Sequence, residues 1–439
     1  MTPEVKERIE QIRHGNVPDG FQETIFGLAP VSWRKNRIDE VCTLSSGSTP
    51  RRDNAENFIG DILWVTSGEL KKRTIADTIE KISEDAAQKS NLTMYDPGTV
   101  AIAIYGLEAA GIRGTASIVG KRCTISQACM AFTEFNGVDN EFMYYWYLNN
   151  GQIIGLRYAQ GTKQQNLSTD IVGAFPICYP EIREQREIAK ILTTQDKVID
   201  LKERLLEEKQ RQKKYLMQQL LTGRKRLPGF NGEWKQLPFA EVFTFLPTNT
   251  LSRDCMSETA GMILNIHYGD VLVKYPEILD VEKNQIPFIK HGSEPINITY
   301  VRNGDVIIAD TAEDLSAGKA VEVQNVSNKL IASGLHTMFC RPNHEMFVAG
   351  WLGYYINSTE FHNQLIPLIC GVKVSSISKK EIVKTFIAVP SVEEQQAIVD
   401  RLSIADREIN LLRQDIDYEK QKKKALMQLL LMGIVRVNV

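Results

Sequence analysis

The chain has 439 residues, a formal net charge of −2, and a composition that is 43% hydrophobic and 24% charged. This length predicts about two or three domains, and the composition is typical of a globular protein. No run of about 18 apolar residues occurs, so we predict that the protein has no membrane-spanning helix. The seven cysteines include no Cys-x-x-Cys pair. They predict a reduced, cytoplasmic protein without a disulfide framework or a zinc ribbon.

Residues 1–30 are predicted to form a short helix over Glu4–His14 and a turn. The helix is followed by Gly15, a proline-containing turn and a Gly-Phe pair. The same order of features follows the long helical segment that ends at Gly223. We therefore interpret residues 1–30 as a segment that completes an internal repeat.

Residues 31–180 and 224–390 are predicted to be two globular domains of the α/β class. Apolar and β-branched runs such as DILWVT, TVAIAIYG, MILNIH and DVIIAD are strand candidates bounded by Gly, Asn and Asp. The aromatic segments FMYYWYLNN and FVAGWLGYYINS have helical spacing. We expect their rings to lie in the core of each domain.

Residues 181–223 and 391–439 are predicted to be two long helices. Apolar residues recur with the alternating spacing of four and three that is typical of a coiled coil, and Ser391 with Glu394 forms a capping-box pattern. Lys202, Lys209 and Lys213 interrupt the first copy, which suggests a shifted face or a third partner there. About 40 residues correspond to a rod of roughly 60 Å.

The simplest arrangement is an antiparallel coiled coil that joins the two domains. Independent linker helices are the alternative, but rows of exposed Leu and Ile would associate. The leucine-rich ends carry more apolar surface than a two-helix contact needs, so we predict that they dock other subunits. The predicted docking residues are Leu216, Leu220, Leu221, Leu426, Leu430 and Leu431.

The sequence predicts that the whole chain is a duplication with pseudo-twofold symmetry. The segment Pro180–Gly223 recurs as Pro390–Gly433 without a gap, at an offset of 210 residues. The domains align more weakly, and their offset only rises along the chain, as insertions in the second copy would cause. Matched pairs are Trp33 and Trp234, Gly98 and Gly304, and Gly161 and Gly371, at offsets of 201, 206 and 210. Similar helices and dissimilar domains suggest that the helices contact the same kind of partner and the domains different targets.

Motifs for catalysis are missing from the sequence. No phosphate-binding loop, dinucleotide fingerprint or amino-methyltransferase tetrapeptide occurs, and the histidines lack metal-ligand spacing. We therefore predict no catalytic residue, metal or cofactor.

A strand, a proline, a helix beginning x-x-E-Q-x-x-I and then K-K-x-L-M-Q-x-L-L-x-G, all present twice around two dissimilar domains, resembles the specificity subunit of type I restriction–modification systems. The resemblance covers essentially the whole chain. It implies two target-recognition domains, each reading one half of a bipartite, asymmetric site in double-stranded DNA. It also implies that the helices set the spacer and bind two methyltransferase subunits, and that restriction subunits join through the complex. The chain itself would be non-catalytic.

Polar turns after strands are the predicted DNA contacts, because base edges are read by hydrogen-bonding side chains. The loop GTKQQNLS offers a lysine for phosphate and amides for bases, and its second copy is GVKVSSIS. A purely structural role of these turns stays open as an alternative. The predicted residues are Thr66, Ser67, Tyr105, Lys163, Gln164, Gln165 and Asn166 in the first half, and His267, Tyr268, Asp310, Thr311, Lys373, Ser375 and Ser376 in the second.

Two other functions remain open from the sequence. A structural coiled-coil adaptor with two protein-binding heads would show no sequence-selective DNA binding. A DNA-modifying enzyme with an unrecognised active site would methylate or cleave DNA alone.

Overall fold

The computed structural model describes residues 2–161, 165–343, 345–371 and 374–437. The chain divides into two compact units, Met1–Glu203 with Gln414–Val439, and Arg204–Arg413. Both long helices cross this division, so each unit contains a domain and a segment of each long helix. Within the described part of the chain, no helix combines the length and apolar content that crossing a bilayer requires.

The first unit holds the elements up to the first long helix. Its helices are α1 (Pro3–Arg13), α2 (Ile38–Val41), α3 (Glu84–Lys89), α4 (Asn140–Tyr158) and α5 (Thr169–Gly173), followed by the long helix α6 (Ile182–Leu220). Its strands are β1 (Phe21–Thr24), β2 (Gly27–Pro30), β3 (Arg34–Arg37), β4 (Thr43–Ser46), β5 (Ile62–Val65), β6 (Thr74–Ile75), β7 (Lys81–Ile82), β8 (Val100–Ala103), β9 (Ala116–Val119), β10 (Cys123–Ile125), β11 (Cys129–Thr133) and β12 (Pro176–Tyr179).

The second unit holds the elements between the two long helices. Its helices are α7 (Phe239–Val242), α8 (Tyr268–Val273), α9 (Trp351–Ile356), α10 (Thr359–Leu365) and α11 (Lys379–Ile382), followed by the long helix α12 (Val392–Leu431). Its strands are β13 (Lys235–Pro238), β14 (Phe243–Leu246), β15 (Met256–Ser257), β16 (Ile263–Ile266), β17 (Ile278–Asp280), β18 (Phe288–Ile289), β19 (Val306–Ala309), β20 (Thr311–Ala312), β21 (Ala320–Gln324), β22 (Leu330–Ser333), β23 (Thr337–Pro342), β24 (Ser375–Ser376) and β25 (Phe386–Val389).

The two units repeat one sheet topology. The five-stranded sheet has the order β4-β11-β8-β9-β6 in the first unit and β14-β23-β19-β21-β17 in the second. Beside it, β10-β5-β7 corresponds to β22-β16-β18, and the pair β12-β3 corresponds to β25-β13. The predicted α/β class and internal repeat are confirmed.

The buried side chains follow the sequence prediction for the aromatic segments. In the first unit Tyr145 and Tyr147 on α4 are fully buried against the strand residues of the large sheet. In the second unit Trp351 and Tyr355 on α9 are buried in the same way. These rings are core residues, as predicted.

The N-terminal segment shares one local feature with the ends of both long helices. Gly15, Gly223 and Gly433 all follow a helix with positive φ, at 77°, 68° and 65°, the conformation that glycine supplies at a helix C-terminus. The segments then differ. After α1 the chain forms the antiparallel hairpin of β1 and β2, whereas the described residues 231–234 form no strand.

In the first unit, the early part of α6 and the late part of α12 run antiparallel. Gln195 donates to the Glu419 carboxylate at 2.6 Å, and Lys202, two turns later in α6, pairs with Asp415 at 2.7 Å. Lys202 also pairs with Glu419 at 2.9 Å. The polar residues that interrupt the apolar pattern of the first copy are therefore paired with acidic residues of the other helix.

In the second unit, the late part of α6 and the early part of α12 run antiparallel as well. Lys209 pairs with Glu408 at 2.7 Å, and Lys213 pairs with Asp406 at 2.6 Å. Antiparallel packing is thus present within each unit. A coiled coil along the whole length of both helices stays a prediction.

Asp196 and Asp406, which match at the offset of 210, each bond a long helix to the domain of the same unit. In the first unit the Tyr145 hydroxyl donates to Asp196 at 2.6 Å, and Asp196 also pairs with Lys423 at 2.5 Å. In the second unit the corresponding bonds join Tyr354, Asp406 and Lys213 at 2.6 Å each.

Two further matched positions repeat this role. Gln185 and Gln395 are fully buried and donate to the carbonyls of Gly137 at 2.9 Å and Met346 at 3.1 Å, respectively. An unpaired buried amide would cost about 1–3 kcal/mol, so these glutamines favour one docking of helix and domain.

The buried carboxylates at the helix starts are paired in the same way. Glu184 accepts from Arg436 at 2.6 Å, and Glu394 accepts from Arg226 at 2.6 Å. The predicted capping box is only half present: Ser391 accepts from the Glu394 N–H at 3.3 Å, but the Glu394 carboxylate bonds to Arg226 instead. The matched residues at the helix starts therefore form hydrogen bonds and ion pairs within their own units.

The Glu419 carboxylate makes the stability of the first unit depend on pH. Its pKa is lowered to about 2 because Lys202, Gln195 and Lys422 donate hydrogen bonds to it. Such a group stabilises the fold above its unfolded pKa and loses this contribution as the pH falls through its folded pKa. Glu419→Gln should therefore flatten the fall in the free energy of unfolding between about pH 5 and about pH 3, as measured by urea titrations. Asp417→Asn, on the exposed side of α12, is the control, and an equal effect of both variants would contradict the prediction.

Candidate nucleic-acid interface

The second unit brings its predicted strand-end residues together. Asp310 and Thr311 follow β19, and β20 pairs antiparallel with β24 so that Thr311 lies opposite Ser376 and Ala312 opposite Ser375. The Ile377 N–H donates to the Asp310 carbonyl at 2.9 Å. The loop that the sequence singled out is therefore held against the end of a central strand.

His267 and Tyr268 join the same place through a residue that the sequence analysis missed. His267 caps α8, accepting from the Gly269 N–H at 3.2 Å, and its ring lies 4.6 Å from that of Tyr268. The Tyr268 ring meets His336 edge to face at 5.3 Å. His336 Nδ1 in turn lies 3.4 Å from Asp310. His336 is the centre of this cluster, and its position between two strand segments was the only sequence signal for it.

The first unit builds the equivalent loop contact. Tyr105 and Asn166 form an antiparallel bridge, which matches the pairing of Thr311 with Ser376 at offsets of 206 and 210. The Leu107 N–H donates to the Gln165 carbonyl at 3.2 Å, and the Gln165 N–H donates to Glu108 at 3.1 Å. Tyr105, Gln165 and Asn166 are thus brought together.

Thr66 and Ser67 begin a short 3-10 turn instead. The Thr66 N–H and hydroxyl both donate to the Glu69 carboxylate, at 2.9 and 2.8 Å, and Glu69 also accepts from the Ile79 N–H at 2.7 Å. Among the described residues no hydrogen bond joins this turn to Tyr105. The predicted Lys163, Gln164 and Lys373 lie outside the described residues.

A polar cleft on the first unit also escaped the sequence analysis. Its volume is about 760 Å³, and Ser48, Asn54, Arg51 and Lys89 are among the residues that line it. Hydroxyl, amide and cationic groups are those that contact phosphates and base edges in DNA complexes. Within the described residues, no group of three or more His, Cys, Asp or Glu side chains is placed to hold a metal ion.

The predicted docking leucines lie mostly inside the units. Leu220 and Leu221 are buried in the core of the second unit, and Leu430 and Leu431 in that of the first. Leu216 and Leu426 are partly buried against the same cores. These side chains therefore pack within the chain.

Comparison with known proteins shows which proteins this chain is similar to. Residues 30–210 match the family described as type I restriction modification DNA specificity domain. The chain is also 22% identical over 446 aligned positions to the specificity subunit of the type I restriction enzyme MjaVIII of Methanocaldococcus jannaschii, with 96% of this chain and 97% of that protein covered. Over nearly its whole length the chain is thus similar to a specificity subunit of a type I restriction–modification system. The MjaIX specificity subunit of the same organism is 26% identical over 42% of each chain.

Two solved structures have a similar fold. A chain from a study of complex assembly and conformational transition in a type I restriction–modification system has a TM-score of 0.58 at 19% identity, with 93% of this chain and 99% of that chain covered. The type I specificity subunit of M. genitalium has a TM-score of 0.51 at 14% identity, with coverage of 91% and 96%. At these identities the matches show a shared fold.

The His267 cap predicts a pH effect on the stability of the second unit. Burial lowers the pKa of the His267 imidazole and outweighs the opposite effect of Asp270. Because the folded state disfavours the protonated ring, stability should fall as the pH drops below about 6.5. His267→Asn keeps an acceptor at the helix start and removes the titrating ring, so its thermal unfolding temperature should fall less between about pH 7 and about pH 5.5. His291→Ala, at a fully exposed histidine, should behave as wild type, and a wild-type slope in His267→Asn would contradict the prediction.

Proposed function

We propose that this specificity subunit reads a bipartite, asymmetric site in double-stranded DNA, one half with each unit. It acts in the cytoplasm, catalyses nothing itself, and directs two methyltransferase subunits to adenines, while restriction subunits join through the complex. The observation that carries the proposal is a repeated fold whose equivalent loop sites present different chemistry. Proteins that read DNA sequence do so through side chains at base edges.

The differences lie at matched positions of the two loop sites. Tyr105 stands where the second unit has Thr311, and Asn166 stands where it has Ser376. A phenol and an amide in one unit, against two hydroxyls in the other, offer different sets of donors and acceptors. Different donors and acceptors favour two unlike half-sites, and hence a target without twofold symmetry.

The helices present a second repeated surface that remains exposed. Leu201 and its counterpart Leu411 are 64% and 59% exposed. One turn before each leucine lies an exposed basic residue, Lys197 or Arg407. We assign methyltransferase docking to this repeated surface, since a leucine with a basic residue four positions before it occurs once in each unit, as two identical partners require. The buried leucines at the helix ends would support it from within.

Co-expression with a methyltransferase subunit tests the function. Methylated adenines mapped across the host genome should define one bipartite motif with a fixed spacer, and the chain purified alone should neither methylate nor cleave DNA. Methylation without any bipartite motif would contradict the DNA-reading function. Stable complexes with proteins but no effect on DNA would favour the adaptor.

A domain swap tests whether each unit recognises its own half-site. Replacing residues 34–170 by the equivalent segment of a relative should change one half of the methylated motif and leave the other half and the spacer intact, because the loop residues of the first unit lie in this segment. Methylome mapping of the swapped and parental chains measures this. A motif altered in both halves would contradict the proposal that each unit recognises one half-site.

Substitutions on the exposed leucines test the docking surface. Leu201→Asp or Leu411→Asp alone should leave one methyltransferase subunit per complex, and the double variant should leave none, because a buried carboxylate without a partner weakens an interface by several kcal/mol or about a thousandfold in affinity. Native mass spectrometry of the co-purified complex counts the subunits. Ile296→Asp, at a fully exposed loop residue of the second unit, should keep both subunits. Full occupancy in the double variant would rule out this surface.

A further inference from the structure

The turn between β22 and β23 carries an unusual residue for its backbone. His336 ends the short connection Gly334–His336 and has a φ of 52°, in the left-handed region that few non-glycine residues adopt. Its carbonyl accepts from the Asp310 N–H at 3.1 Å, which ties the turn to the end of β19. The side chain nevertheless stays 49% exposed. The turn therefore holds the His336 imidazole at the surface, on a backbone whose position is fixed by the hydrogen bond from Asp310.

The ring of His336 is held on one side by protein. Nδ1 lies 3.4 Å from the Asp310 carboxylate and 3.4 Å from the Thr311 hydroxyl. That hydroxyl donates to Asp310 at 2.7 Å. The edge-to-face contact with Tyr268 restricts the ring further. A side chain that is already oriented loses little conformational entropy when it binds.

The contacts of Nδ1 determine whether the other ring nitrogen, Nε2, donates or accepts a hydrogen bond. The Thr311 hydroxyl donates its single hydrogen to Asp310, so its oxygen can only accept from His336 Nδ1. In the neutral ring this favours the tautomer with hydrogen on Nδ1, which leaves Nε2 as an acceptor. Among the residues that the structure describes, no protein group pairs with Nε2. The cluster thus offers one oriented acceptor at the surface of the loop site.

Among the described residues, the first unit has no equivalent of this histidine. The bond between the Asp310 N–H and the His336 carbonyl corresponds to the bond between the Ile104 N–H and the Ala128 carbonyl, at 2.9 Å. Ala128 and Ile104 therefore stand in place of the histidine and its carboxylate. Within the described parts of the two loop sites, this acceptor is present in the second alone.

We propose that His336 is a specificity-determining residue of the second unit, with Nε2 accepting a hydrogen bond from an exocyclic amino group in the major groove. Adenine N6 and cytosine N4 are the groups of this chemistry. Asp310 is a positioning residue that orients the ring. The inference rests on the proposed DNA-reading function and adds to it one residue, one atom and one half-site.

Methylome mapping of the co-expressed complex tests the assignment. His336→Gly removes the imidazole, and glycine adopts a φ of 52° without strain, so the fold should be kept. At one base position of the second half-site, discrimination against the wrong bases should fall about tenfold. The first half-site and the spacer should stay unchanged. Asp310→Ala should relax the same position, a base-specific result that a merely structural role would not produce.

Controls separate the possible failures. His291→Ala, at a fully exposed histidine of the same unit, should leave the motif intact. If His336→Gly yields no complex, His336→Ala makes the same comparison, because its methyl group offers no acceptor and the wild-type histidine already places a Cβ at this positive φ. An unchanged motif in these variants, or a uniform loss of methylation at every position, overturns the role of His336 while the wild-type motif upholds the DNA-reading function. A wild-type chain without a bipartite motif overturns both.

Discussion

The buried polar bonds between each long helix and its own domain are the constraint on which both units depend. A buried amide is costly unless it is paired, so the fully buried Gln185 permits few positions of the domain against the helix, and the partly buried Asp196 adds a second bond. Asp406 and Gln395 impose the same requirement on the second unit. The strictest identities of the internal repeat thus have a cause inside the chain, before any partner is considered.

Fixing the helices in this way leaves the loop sites free to differ. The sheets of both units have the same strand order, and the same backbone bonds close both loops. On that common frame, Ala128 in one unit and His336 in the other present quite different surfaces. A repeated scaffold with divergent loop chemistry is what two unlike DNA half-sites would demand.

The leucines of the long helices show how burial decides the role of a residue type. Leu220 is only 4% exposed in the core of its unit, whereas Leu201 on the same helix is 64% exposed. Both belong to apolar positions of a helix, and composition alone makes them equivalent candidates for docking. Only their surroundings separate a residue that stabilises the unit from one that another protein can contact.

The sequence by itself determined the duplication, the α/β class, the strands around Val100 and Val306, and the loops that contain Asn166 and Ser376. These follow from local periodicity, turn residues and a rising offset, all of which are properties of neighbouring residues along the chain. Tertiary structure alone decided that Lys202 pairs with Glu419 and that His336 lies between Asp310 and Tyr268. Such contacts join residues far apart in the chain. Their geometry depends on sheet packing and side-chain burial, which no local sequence pattern predicts.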